Sequence, residues 1–256
     1  MAELDRRYAQ GTTVGRAEPG VIDQGLRAYM LRVYNYMASG VAITGVVAYL
    51  TYQLAGGDAI QIANGTMVGL TPFGSFIFKT AFKWVVIFAP LGMVFFLSAR
   101  INSMSLSGAQ IAFWVFAALM GLSIASIFLV YAHASIARVF FITAASFGAL
   151  SLYGYTTNRD LSAWGSFLFM GLIGIIIAML VNLFLASSAL QFAISVIGVL
   201  IFAGLTAYDT QQIKEMYYVG DDGTVAGRKA VMGALRLYLD FINLFMMLLQ
   251  LFGDRR

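Results

Sequence analysis

Seven stretches of the chain carry almost nothing but apolar residues for about 20 positions. They run Val33–Leu54, Phe82–Ala99, Gln110–Tyr131, Ser135–Tyr155, Trp164–Ala186, Leu190–Tyr208 and Val231–Phe252. Each is long enough to cross a hydrocarbon core about 30 Å thick as a helix. Lipid offers no partner to backbone N–H and C=O groups, and the runs lack the period-two alternation of a membrane barrel, so they are helices and not strands. The expected fold class is all-α, a polytopic membrane protein with seven transmembrane helices. It divides into an N-terminal cytoplasmic tail (1–32), the membrane domain (33–252) and a short C-terminal tail (253–256).

Between the spans, the longest connection is "AGGDAIQIANGTMVGLTPFGSF", amphipathic at best, and "EMYYVGDDGTVAGRK" precedes the last span with a Gly-Asp-Asp-Gly core that must turn. Trp84, Trp114 and Trp164 stand near span starts, where interfacial tryptophans are expected. Span four, "SIARVFFITAASFGALSLYGY", places Ala, Ser and Gly at near-helical spacing, which suits close packing against other helices. The tail, with its Gly, Thr, Pro and mixed charge, is expected to be helical from about Ile22 onwards.

Composition sharpens this picture. Of 256 residues 60% are hydrophobic and only 11% charged, against about 25% charged in a soluble domain. The polar first 32 residues do not have the layout of a cleavable signal peptide, so the first span is expected to anchor the chain. With the N-terminus inside, eleven of the sixteen basic residues fall on the cytoplasmic side; Lys79, Lys83, Arg138, Arg255 and Arg256 fall outside. That asymmetry favours an N-in, C-out topology. The net charge of +4 therefore reflects topology, and lipid-facing helices supply no basic face for nucleic acid. The chain has no cysteine, which removes disulfides and thiolate chemistry. No His/Cys cluster suits a transition metal, and no phosphate-cradling glycine loop occurs, so no tightly bound cofactor is expected.

Ionisable groups within spans are costly and are functional-site hypotheses by default. Arg100 ends span two, Asp209 ends span six, and Asp240 lies inside span seven, all toward the cytoplasmic face in this topology. Asp240 follows Val231 by nine residues, or roughly 13 Å of helix rise. Asn243 follows on the same face and offers a second oxygen. Each aspartate also has a partner within its own helix by spacing: Arg236 four residues before Asp240, and Gln212 three after Asp209. His133, the only histidine, sits at the far end of span three as an interfacial residue. Two carboxylates close together in a low dielectric do not readily both ionise, so such a pair binds one proton between them. Deprotonated, it attracts an arginine or a hard cation; two aspartates with Asn243 or carbonyls make a weak, transient calcium station.

Around these residues the sequence resembles the Bax-inhibitor (transmembrane BAX inhibitor motif) family, whose bacterial members are seven-helix membrane proteins. "GLTAYDTQQIKEMY" at 204–217 and "LRLYLDFINLF" at 235–245 carry the resemblance, and the span count and spacing agree over roughly 25–253. It implies a last helix at the centre, wrapped by the other six, and no enzymatic activity. It also implies a proton-sharing aspartate pair that gates a slow, pH-sensitive calcium leak in the cytoplasmic membrane. Asp209 and Asp240 match that pair by motif, and Arg100 in "FFLSARINSM" resembles the family's latch arginine. The family also offers a role without autonomous transport, as a membrane-embedded regulator or partner of a membrane protease. An intramembrane aspartyl protease is disfavoured: the second aspartate sits in Tyr-Leu-Asp, not Gly-x-Gly-Asp, and no proline follows Pro90. A retinal protein would need a lysine in the last span, which has none.

Overall fold

The computed structural model describes residues 19–63 and 66–256. The expected tail falls mainly outside the described residues as far as 18; from Pro19 it is helical and continuous with the first span. The helices are α1 (Pro19–Ala55), α2 (Pro72–Lys79), α3 (Phe82–Arg100), α4 (Leu106–Ile124), α5 (Ile127–Val130), α6 (His133–Thr156), α7 (Ser162–Leu185), α8 (Ser188–Glu215) and α9 (Gly223–Phe252). Seven of these are long and apolar enough to cross a membrane, as the hydropathy pattern predicts. The connection after α1 is more ordered than its sequence suggests. It holds a two-strand hairpin of β1 (Gln61–Ala63) and β2 (Thr66–Val68), then the short helix α2.

Local chemistry fixes the helix starts. Thr71, Ser105 and Ser187 each accept a hydrogen bond from a backbone amide of the first turn of the helix that follows, satisfying donors that have no intrahelical partner. Asp222 does the same for α9, accepting from the amides of Thr224 (2.8 Å) and Val225 (2.7 Å). The Gly-Asp-Asp-Gly turn is therefore a helix start with a charged cap, favoured by the positive end of the helix dipole. Lys229 closes the same turn with a 2.5 Å ion pair to Asp221 and a hydrogen bond to the Met216 carbonyl.

Burial ranks the helices. Along α9, 72% of the most apolar 18-residue window is buried within the protein; the same measure is 11% in α7 and at most 39% elsewhere. Because lipid tails are as apolar as leucine, this enclosure reflects close packing, not escape from water. Helices α1, α4, α6 and α8 pack extensively on α9, whereas α3 packs chiefly on α4 and α7 chiefly on α8. The principal enclosure therefore comes from four helices, not from all six. One buried polar contact locks it: Tyr238 of α9 meets Thr44 of α1 at 2.6 Å, and Thr44 donates to the Ala117 carbonyl of α4 (2.8 Å).

Span four uses its small residues unevenly. A Cβ on Gly154 would lie 2.2 Å from the Ala207 carbonyl oxygen, so α6 and α8 cross there at backbone contact. A Cβ on Gly148 would meet nothing within 4 Å.

Candidate functional site

The hydropathy boundaries hide where the two aspartates lie. Helix α8 continues seven residues past the apolar run, to Glu215, and α9 begins eight residues before its own, at Gly223. Polar side chains on these interfacial turns lower the local hydropathy without ending the helix. Asp209 and Asp240 consequently sit inside long helices. Contacts at Ile213–Gly233 and Gly198–Met247 set the antiparallel register of α8 on α9. That register puts Asp209 level with Arg236 and Leu237, one turn from Asp240.

Both aspartates line one partly open cavity of about 810 Å³, with Arg236 and Asn243. Leu91 of α3 and Phe169 and Ile176 of α7 contribute apolar walls. Asp240 is 5% exposed, Asp209 half-buried, and the two carboxyls lie within hydrogen-bonding reach of each other. Among the described residues the buried Asp240 Oδ2 has no donor. Two carboxylates are both acceptors, so a hydrogen bond joins this pair only when one of them carries a proton. A proton held between the two carboxyls would supply the donor that Asp240 Oδ2 lacks among the described residues.

The in-helix partners suggested by spacing do not satisfy the pair. Gln212 donates to Glu215 (3.1 Å) and to Ser162 (3.5 Å), not to Asp209. Arg236 lies close enough to influence both carboxylates, but among the described residues no ion pair joins it to either. It is exposed and lines the same cavity, a cation near the pair and not bound to it. Asn243 Nδ2 donates to its own helix at Leu239 (2.8 Å), leaving the amide oxygen as an acceptor in the cavity. Among the described residues no three or more His, Cys, Asp or Glu side chains cluster. The side-chain oxygens that a calcium ion could meet here are the two carboxylates and the Asn243 amide, with the Ser166 and Tyr208 hydroxyls lining the same cavity; only the two carboxylates carry charge, and calcium affinity follows the charge count of its ligands.

Arg100 is not brought to the pair. It ends α3 with its side chain exposed, it does not line the cavity, and it makes no ion pair among the described residues. Its position in the chain could not reveal this, because α3 is held mainly by α4 and not by α9.

The opposite end of the bundle holds an arrangement that the sequence reading missed. Residues 253–256 fold back over the α5–α6 junction: Ala132 N–H donates to the Asp254 carbonyl and Arg256 N–H to the Val130 carbonyl, both 2.9 Å. Arg138 pairs with Asp254 at 2.8 Å. Arg256 donates to Tyr52 Oη (3.1 Å), lies 2.9 Å from His133 Nε2 and 3.4 Å from Asp58, and Tyr52 donates to Asp58 (2.9 Å). The Tyr52 hydrogen bond, with help from Arg256, holds the Asp58 carboxyl below its ordinary value of 3.8. His133 thus belongs to a clasp. Its signal was the coincidence of Arg255 and Arg256 with a polar residue at the same membrane face.

Comparison with known proteins agrees with this architecture. The family model described as "Inhibitor of apoptosis-promoting Bax1" matches residues 26–256. The inner membrane protein YbhL of Escherichia coli is 46% identical over 235 residues, covering 91% of this chain and 94% of its own. RP147 of Rickettsia prowazekii is 48% identical over 234 residues, covering 91% and 92%. A Caulobacter vibrioides protein is 43% identical across the whole of both chains. A match over nearly the full length, joined to seven spanning helices and the two aspartate motifs, leaves one conclusion: the chain is a membrane protein of the Bax inhibitor-1 family.

Proposed function

We propose that the protein is a pH-sensitive calcium leak channel of the bacterial inner membrane, gated by proton sharing between Asp209 and Asp240, and that it is not an enzyme. The observation that carries this reading is the meeting of two carboxyls from neighbouring helices in one partly open cavity, one of them with a buried oxygen that has no partner among the described residues. The name of the Escherichia coli relative supports the membrane assigned. The N-terminus is cytoplasmic by the basic asymmetry, which turns the aspartate end of the bundle toward the cytoplasm.

At acidic pH the shared proton ties α8 to α9 and the pathway is closed. As pH rises the proton leaves, and two anions in a poorly screened cavity need a cation. Arg236 is the resident candidate and calcium the mobile one. Arg100 acts as a latch only in a conformation that carries the end of α3 to the cavity. With only two charged ligands calcium binding is weak, as conduction requires, since the ion must also leave.

The test is calcium entry into liposomes that contain only the purified protein, followed with a trapped dye across a pH series. Flux that rises with pH in the native protein and loses that rise in Asp240→Asn supports the proposal. No flux at any pH would overturn it and leave the role of a regulator that works through a membrane protease or another partner.

A further inference from the structure

A second opening lies on the other side of the bundle, between α1 and α6. The two helices have little direct packing on each other. Between them is a slot of about 690 Å³, within the range of sites that hold small molecules. On α1, Arg27, Leu31 and Tyr34 recur at helical spacing along one face; on α6, Gly148, Ser151 and Tyr155 do the same. Tyr34 and Ser151 join across the slot at 2.7 Å, and Ser151 meets Thr210 at 2.9 Å, so its hydroxyl floor is satisfied without a ligand. The walls are another matter. Leu31 is 52% and Leu152 61% exposed, and the space beside Gly148 is open.

Charge marks one end only. Arg27 lies near the start of α1 and is exposed. Lys214 reaches the rim at Tyr155, donating to its carbonyl at 2.9 Å with the ammonium 5.4 Å from the ring centroid. That bond uses one of the three ammonium donors, so two remain. From Arg27 to Tyr34 the helix rises about 10 Å, enough to run from a headgroup into the acyl region. A basic mouth above an apolar, laterally open channel is complementary to an anionic lipid and not to a soluble anion. Basic pockets between membrane helices recognise such headgroups.

We propose that the α1–α6 slot is a binding site for an anionic phospholipid, with the phosphate held by Arg27 and Lys214 and one acyl chain lying along Gly148. The site is separate from the aspartate cavity and does not depend on the leak reading. A bilayer surrounds this chain on every side, so the occupant is always at hand, and selectivity is what distinguishes a site from ordinary lipid contact.

Native mass spectrometry of the full chain in detergent, given equal phosphatidylglycerol and phosphatidylcholine of different mass, measures that selectivity. The expected result is one phosphatidylglycerol retained in clear preference. Arg27→Gln with Lys214→Gln should reduce its retention by about thirtyfold, while Arg27→Lys with Lys214→Arg should keep it, which separates lost charge from lost folding. Gly148→Leu, which places a side chain in open space, should displace the bound lipid by filling the channel. Equal retention of the two lipids, or none, overturns the site. So does native retention in either the charge-removing or the slot-filling variant.

Discussion

Replacing Arg236 by glutamine removes the one cation that lines the aspartate cavity among the described residues. The register places Arg236 level with Asp209 and one turn before Asp240, and no ion pair joins them among the described residues, so the magnitude is worked for a charge separation taken as about 7 Å. At an effective dielectric of about 20, two unit charges at that distance interact by roughly 2.4 kcal/mol. Arg236 is exposed, and solvent screening removes about half of this, leaving roughly 1.2 kcal/mol. Since 1.36 kcal/mol corresponds to one pH unit, losing the cation makes the doubly ionised pair harder to reach by about one unit. The midpoint of calcium flux against pH should therefore move upward by about one unit in Arg236→Gln and stay in place in Arg236→Lys. Flux at high pH should also rise, because no resident cation then competes with calcium. Arg100→Ala, which alters an exposed residue outside the cavity, should move the midpoint less. An unmoved midpoint in Arg236→Gln, or a larger shift in Arg100→Ala, would refute the assignment of Arg236 as the resident cation.

Three further outcomes follow from the geometry. Tyr238→Phe removes a buried hydroxyl bonded to Thr44 and should lower the unfolding free energy in detergent by about 1–2 kcal/mol; an unchanged denaturation curve would mean that the contact is idle. The terminal clasp should be pH-dependent. A carboxyl whose folded value lies below its ordinary one stabilises above that ordinary value and loses the contribution as pH falls through the folded value. Protection of the Arg256 amide from hydrogen exchange, relative to its intrinsic rate at each pH, should thus be high at neutral pH and fall as pH drops below 3.8, whereas Asp58→Asn should show low protection throughout. Reporter fusions after Lys214 and after Arg256 should report opposite sides of the membrane; a shared location would require the topology to be redrawn.

The seven spans were legible because about 20 apolar residues in a row admit no other structure in lipid. Helix ends were not. Gly223–Ala230 of α9 and Asp209–Glu215 of α8 are helical but polar enough to fall outside a hydropathy window. For that reason Asp209 reads as a helix end in sequence and as an interior residue in the structure. The meeting of Asp209 and Asp240 was legible as two costly charges at matching depth. Its setting was not: Arg236 in the cavity and Arg100 outside it depend on which helices touch α9. Gln191, Ser195 and Gln250 passed as unremarkable polar residues within spans. They form a network with 2.5 Å and 2.9 Å bonds at the far end of α8 and α9, and the two glutamines in apolar runs were the available signal.

The most direct test of the central claim is a flux-versus-pH series in pure liposomes for the native chain, Asp209→Asn, Asp240→Asn and the double variant. Two carboxyls that hold one proton act as a unit, so the double variant should lose no more pH dependence than either single one. Additive, independent losses would contradict proton sharing and make Asp209 and Asp240 separate groups that merely line the same cavity.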